Sequence, residues 1–287
     1  MIHPNLASFL KDDRAALAKG PLAIIMLEDE IEADSAVRHH LAQGFANVIV
    51  LGAENIGLSD DLTAQVSRVH HDMAVADAMT TAVNAIIDAA PGKWIYYCYN
   101  GEFLYYPFCE SRSIGELIAF NTEERRDTVL TYVVDLYAAD LEAYPNAVWR
   151  DNAHLDKSGY YALARTDADG EFCERQLDFF GGLRWRFEEH VPADRRRIDR
   201  VGIFKAKPGL KLRADHTFND AEYNTFACPW HNSITAAVCS FRTAKALKKN
   251  PGSRYDINTF YWRNSVPFTW GSQQLLDLGL MEPGQWF

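Results

Sequence analysis

Residues 22–27 read Leu-Ala-Ile-Ile-Met-Leu, six apolar side chains in a row, and Glu28, Asp29 and Glu30 follow at once. An apolar run this short, with β-branched residues inside it and charge at its end, describes a strand buried on both faces, as in a parallel sheet. The next segment changes period. Ala33, Ala36, Val37, His40, Leu41 and Gly44 recur at helical spacing, with Gly44 placed to end the helix. Residues 47–51 (NVIVL) repeat the buried-strand pattern. Strand, helix and strand with short joins make a βαβ unit, whose strands pair in parallel through a right-handed crossover. The expected fold class is therefore α/β.

The alternation continues. A second helix fits residues 75–89, with Val75, Met79, Ala82, Val83 and Ile86 on one face and Pro91-Gly92 at its end. Residues 93–99 (KWIYYCY) form a third strand, and Ser113 with Glu116 forms a capping box for a helix starting near Ile114. Residues 128–138 and 201–206 are further strands. The stretch from about 140 to 200 is less regular and holds a turn at Asp167-Ala168-Asp169-Gly170. A last helix is expected over 233–249, capped by Asn232 or Ser233, with Lys245, Lys248 and Lys249 at the negative end of its dipole and Pro251-Gly252 stopping it. The first twenty residues read as an amphipathic leader, and the aromatic tail 255–287 as packed back on the body.

Composition narrows the function classes. A net charge of −10 argues against non-specific nucleic-acid binding, which needs clustered Lys and Arg. The five cysteines are odd in number and show no C-x-x-C spacing, which suits free thiols in a reducing compartment rather than disulfides or zinc. No signal-peptide pattern and no run of about 18 apolar residues is seen, so the expected location is cytoplasmic, with peripheral attachment through a partner left open. No Gly-rich phosphate loop, G-x-S-x-G or Cys-His arrangement stands out. His39-His40 and His70-His71 look like metal clusters, but adjacent side chains point apart in helix and strand alike.

Three segments together resemble the family-2, GT-A type of glycosyltransferase, in particular a bacterial subgroup. The first is Ile24-Ile25-Met26-Leu27-Glu28-Asp29-Glu30, a strand ending in a polar turn. The second is Arg38-His39-His40-Leu41-Ala42-Gln43-Gly44-Phe45 with Val48-Ile49-Val50. The third is Trp94-Ile95-Tyr96-Tyr97-Cys98-Tyr99-Asn100-Gly101-Glu102-Phe103-Leu104, where the family has tryptophan, an apolar strand and D-x-D-E-F-L. Glu102-Phe103-Leu104 matches that ending. Tyr99 and Gly101 fill the two aspartate places, and a one-residue shift makes Asn100-Gly101-Glu102 the surrogate. The run Phe179 to Phe187 (FFGGLRWRF) is similar to the same subgroup. The resemblance covers about residues 20–110 and the remainder loosely.

The resemblance implies a mixed, mostly parallel GT-A sheet flanked by helices, in a single domain of residues 1–287. Residues 20–140 would form its nucleotide-binding half, and 141–287 the acceptor-side half with C-terminal helices. It implies transfer of a sugar from a nucleotide-sugar donor to a glycan or other acceptor, with Mn²⁺ or Mg²⁺ offsetting charge on the leaving diphosphate. Asp29, Glu30, Asn100 and Glu102 would face the donor, and Glu102 with His216 would hold the metal. His231 is a second, weaker histidine. Arg184 and Arg186, sharing one face of a strand, would grip the diphosphate in place of a missing metal. Asp178, flanked by aromatics, and Glu188 or Glu189 are candidates for the base that accepts the acceptor's proton. Bland readings stand beside these: a turn at Asn100-Gly101, a capping histidine, salt-bridged carboxylates. The altered D-x-D equally suits a non-catalytic sugar- or nucleotide-binding relative, and a hydrolase on the same fold is a third reading.

Overall fold

The computed structural model describes residues 1–228 and 231–286, the side chains of 227, 228, 231 and 232 aside. In chain order the strands are β1 (Ile2–His3), β2 (Leu22–Leu27), β3 (Asn47–Gly52), β4 (Ser67–His70), β5 (Trp94–Tyr99), β6 (Glu102–Tyr105), β7 (Thr128–Asp135) and β8 (Tyr137–Ala138). They continue with β9 (Ala153–Asp156), β10 (Tyr161–Thr166), β11 (Phe172–Phe180), β12 (Asp199–Lys205), β13 (Ala227–Cys228), β14 (His231–Asn232), β15 (Thr235–Ser240) and β16 (Ser265–Pro267). The helices are α1 (Leu6–Asp12), α2 (Arg14–Ala18), α3 (Ala33–Ala42), α4 (Asp60–Thr63), α5 (Ala78–Ala89), α6 (Ile114–Glu123), α7 (Gly182–Arg186), α8 (Arg242–Lys249) and α9 (Ser272–Asp277). The main sheet is mixed and mostly parallel, with helices on its flanks. The chain divides into two compact units: 1–103, 111–129 and 201–224 in unit 1, and 104–110, 130–200 and 225–287 in unit 2.

In unit 1 the strands lie in the order β1-β4-β3-β2-β5-β12, parallel from β1 to β5, with β12 antiparallel to β5. All six side chains of β2 are buried, as its unbroken apolar run requires. Burying a Leu, Ile or Met fully contributes about 1.5–3 kcal/mol each. Leu22, Ile24 and Met26 pack with Ile49, Leu51, Ile95 and Tyr97 against Phe9 of α1 and Val83, Ile86 and Ile87 of α5. Helix α3 lies against β2 and β3 and ends at Gln43, after which Gly44 takes a left-handed φ of 87°. The Ser113–Glu116 capping box opens α6 with both of its hydrogen bonds formed. The first twenty residues are not a detached leader. They hold β1, α1 and α2, Asn5 caps α1, and Phe9 and Leu17 join the core.

In unit 2, β7 and β15 pair in parallel over six residues, β8, β9 and β16 form a small antiparallel sheet, and β10 and β11 form a hairpin. Tyr137, Leu183, Ala244, Leu247 and Phe260 centre one core cluster. The expected helix over 233–249 is half strand: β15 occupies 235–240 and α8 begins only at Arg242. A short stretch of small and apolar residues such as TAAVCS does not distinguish a buried strand from a buried helix turn, and pairing with β7 decides it here. Helix α5 starts at Ala78 rather than Val75, because Asp77 adopts a left-handed φ of 60°. The stretch expected to be irregular holds β9, β10 and β11.

Candidate functional site

Unit 1 reverses its strand order at one place. From β2 the chain builds outward through β3 and β4, then returns through α5 to lay β5 on the other side of β2. In open α/β sheets the crevice outside the carboxyl ends of such a strand pair is where ligands bind. Two loops stand there, Glu28-Asp29-Glu30-Ile31 after β2 and Asn100-Gly101 after β5. The side chain of Asn100 joins them. Its Oδ1 accepts from the Glu28 N–H (2.9 Å), and its Nδ2 donates to Asp29 Oδ1 (2.6 Å) and to the Ile31 carbonyl (2.9 Å). Asn100 is fully buried, whereas Glu28 and Glu30 are exposed. Gly101 takes a φ of 71°, which completes the tight turn, and the Glu102 carboxylate folds back to accept from the Tyr99 N–H (2.9 Å). Glu102 is buried.

Two of the paired histidines have backbone partners. His40 is buried, its Nδ1 2.7 Å from the Ala36 carbonyl and its ring stacked on Tyr96. Burial and the neighbouring His39 push its pKa down to about 3, so it stays neutral. His71 Nε2 lies 3.2 Å from the Ala78 carbonyl. His216 sits in a turn with a φ of 63°, its ring parallel to Tyr97 and its Nδ1 2.9 Å from the Tyr97 hydroxyl. The side chain of His231 lies outside the described residues. Glu102 and His216 are thus held by separate partners, and among the described residues no group of three or more His, Cys, Asp or Glu could hold a metal ion.

The remaining candidates belong to unit 2. Arg184 and Arg186 lie on α7, not on a strand, because the left-handed Gly182 ends β11's extended run and starts a helical turn. Arg186 donates to both oxygens of Asp156 (3.1 Å each) and stacks on Trp262. Arg184 donates to the Arg197 carbonyl and to Thr243 Oγ1. Asp178 accepts from Arg165 Nε (2.7 Å) and Arg197 (3.1 Å), within a network in which Arg165 also donates to the buried Asp199 (2.8 Å). Burial pushes the Asp199 carboxyl up, against Arg197, the Phe179 N–H and Arg165, which favour its charge. Glu188 pairs with Arg196 (3.3 Å) at the surface, and Glu189 lies 3.8 Å from His190.

One acid escaped the sequence reading. Asp135 closes β7, fully buried, and its Oδ2 accepts from the Leu183 N–H at the start of α7 (2.8 Å). Burial raises its pKa, with Arg184, Thr243 and that N–H opposing. A single acid ending an apolar strand, Val133-Val134-Asp135, was the available signal; it is the pattern that singled out Glu28 to Glu30.

No protein-family model matches the chain, and no curated protein matches it. The architecture itself is Rossmann-like, of the kind that nucleotide-binding proteins share. Among the described residues no helix is long and apolar enough to cross a membrane.

Proposed function

We propose that this protein is a glycosyltransferase that holds a nucleotide-sugar donor at the β2–β5 crevice of unit 1. The observation that carries the proposal is the pair of loops at the strand reversal, joined through Asn100 and presenting Glu28 and Glu30 to solvent. Carboxylates at the end of a parallel strand are suited to the hydroxyls of a ribose. Asp29 and Asn100 set the shape of that loop, and Glu102 holds the turn beside it. Mn²⁺ or Mg²⁺ would arrive with the diphosphate, which commonly supplies several of its ligands, and Asp29 and Glu30 could add theirs. Glu102 and His216 are the notional protein ligands of the family pattern, and their engagement with Tyr99 and Tyr97 favours a cation held chiefly by the nucleotide. Asp178 and Glu188 remain the proposed proton acceptors, and Arg184 and Arg186 the proposed diphosphate grip. The acceptor is a glycan or other hydroxyl compound.

A binding protein without transfer activity is the second reading. It is favoured by one set of contacts: Asp178 is shared between Arg165 and Arg197, and Arg186 is spent on Asp156. Calorimetric titration of UDP and GDP, first with Mn²⁺ and then with EDTA, tests the nucleotide site. Saturable binding that Glu30→Ala weakens at least tenfold is expected. Absence of binding in every condition would remove the nucleotide site and make the non-catalytic reading the leading one. Binding without release of free nucleotide from a donor sugar, with or without glycan acceptors, would select the second.

A further inference from the structure

We propose that Arg68 is a positioning residue for nucleotide binding: buried beneath the turn 53–56, it holds that turn as the wall of the β2–β5 crevice on its β3 side. The inference rests on the nucleotide reading of that crevice and adds a residue to it.

The first observation is a buried charge without a counter-charge. Arg68 lies on β4 and is 5% exposed. Buried arginines elsewhere in the chain meet carboxylates: Arg165 meets Asp178 and Asp199, and Arg186 meets Asp156. Arg68 meets carbonyls instead. Its Nη1 donates to Val50 (3.3 Å) and Val69 (3.4 Å), and its Nη2 to Ala53 (2.7 Å) and Ile56 (2.9 Å). Burial lowers its pKa, and no neighbouring acid among the described residues opposes that. The two shortest bonds go to the chain that follows β3. Ala53 and Ile56 already close a turn there, the Ile56 N–H donating to the Ala53 carbonyl (3.2 Å). That backbone bond closes the turn; Arg68 fixes its orientation against the sheet. A planar guanidinium holds its acceptors at set angles, and its charge strengthens each bond.

The second observation is the room made for this side chain. Gly52 ends β3, and a Cβ there would sit 3.2 Å from Arg68 Nη1 and 2.9 Å from Leu27 Cβ. The missing side chain lets the guanidinium reach from β4 across the end of β3. The third observation is place. Leu27 and Gly52 are register partners in a parallel pair. The acidic loop from Glu28 and the turn from Ala53 therefore leave the sheet side by side, about one strand spacing of 4.8 Å apart. Beyond the turn, the Ser59 N–H donates to Asp34 Oδ1 at the start of α3 (3.1 Å). Between these two anchors stand Glu54 and Asn55, both exposed. A nucleotide seated on the loop after β2 has this turn as its neighbour, and a wall already fixed lowers the ordering cost of binding.

The test uses the full chain and titrates UDP and GDP with Mn²⁺, reading amide hydrogen exchange at 54–57 alongside. Arg68→Met is expected to weaken nucleotide binding about tenfold and to speed exchange at Ile56, whose N–H closes the turn. Arg68→Lys keeps the charge without the planar fork and should weaken binding about threefold. The control is Val83→Ala, which opens a cavity in the core under α5 and should bind as the parent does. Where Arg68→Met does not fold, Gly52→Ala, which crowds the guanidinium and keeps its charge, should show the same loss. Unchanged affinity in Arg68→Met or Gly52→Ala, unchanged exchange at Ile56, or an equal loss in Val83→Ala would overturn the proposal while nucleotide binding by the parent stood. No nucleotide binding by the parent would overturn the nucleotide reading, and this proposal with it.

Discussion

At the end of β5, Asn100 is fully buried and every polar atom of its side chain is bonded, to Glu28, Asp29 and Ile31. At the end of β7, Asp135 is as deeply buried, and one of its two oxygens is bonded while the other is not. Both residues close a strand and both face a loop. The difference lies in what the loop returns. The loop after β2 folds over Asn100 and supplies a donor and two acceptors. The Gly181-Gly182 turn brings Asp135 the Leu183 N–H alone. A satisfied buried group fixes its surroundings, whereas a partly satisfied one carries a desolvation cost. Asn100 thus holds the two loops of the β2–β5 crevice together, whereas Asp135 is held from the α7 side.

Four substitutions would break or sharpen this contrast. The largest effect is expected in unit 2, at the network joining Asp178 and Asp199. Arg165→Met strips Asp178 and the buried Asp199 of a shared partner and should cost about 3–5 kcal/mol, read from urea unfolding. Asn100→Ala removes three hydrogen bonds and should cost about 3 kcal/mol in the same measurement. A loss under about 1 kcal/mol would show that the two loops hold their shape unaided. Gly182→Ala places a Cβ against Asp135 at a left-handed φ of 60°, and should cost about 2 kcal/mol while displacing Asp135 from the Leu183 N–H. An unchanged stability would mean that the doublet does not set the position of Asp135.

The smallest effect is a pH dependence. Burial raises the Asp135 pKa in the folded chain, so the fold binds that proton more tightly than the unfolded chain does. The associated stability is present below the ordinary carboxylate value and is lost as pH rises through the raised one. Asp135→Asn cannot ionise, so its stability relative to the parent should rise as pH climbs from about 4 towards 7. Parallel stability curves would mean that Asp135 ionises in the fold without penalty.

Parts of this were legible beforehand for identifiable reasons. The bounds of β2 followed from an unbroken apolar run, and α3 and α6 from a helical period with a Gly after one and a capping box before the other. The acidic turn after β2 and the Asn-Gly turn after β5 were visible as polar interruptions, and both stand at the strand reversal. Their direct bond was not visible, because it spans 71 residues of chain. Arg184 and Arg186 were assigned to a strand because alternation with Trp185 and Phe187 has period two. The left-handed Gly182 turns that stretch into a helix.

The sequence by itself determined that β2, β3 and β5 are buried strands and where polar turns end β2 and β5, since local period and burial are written along the chain. Only the tertiary structure decided that 235–240 is a strand, that Asp178 and Arg186 are bound to partners, and that Asp135 is buried against Gly182. Each of these depends on what a distant segment offers as pairing partner, counter-charge or hydrogen bond, and such distant pairings leave no period in the sequence.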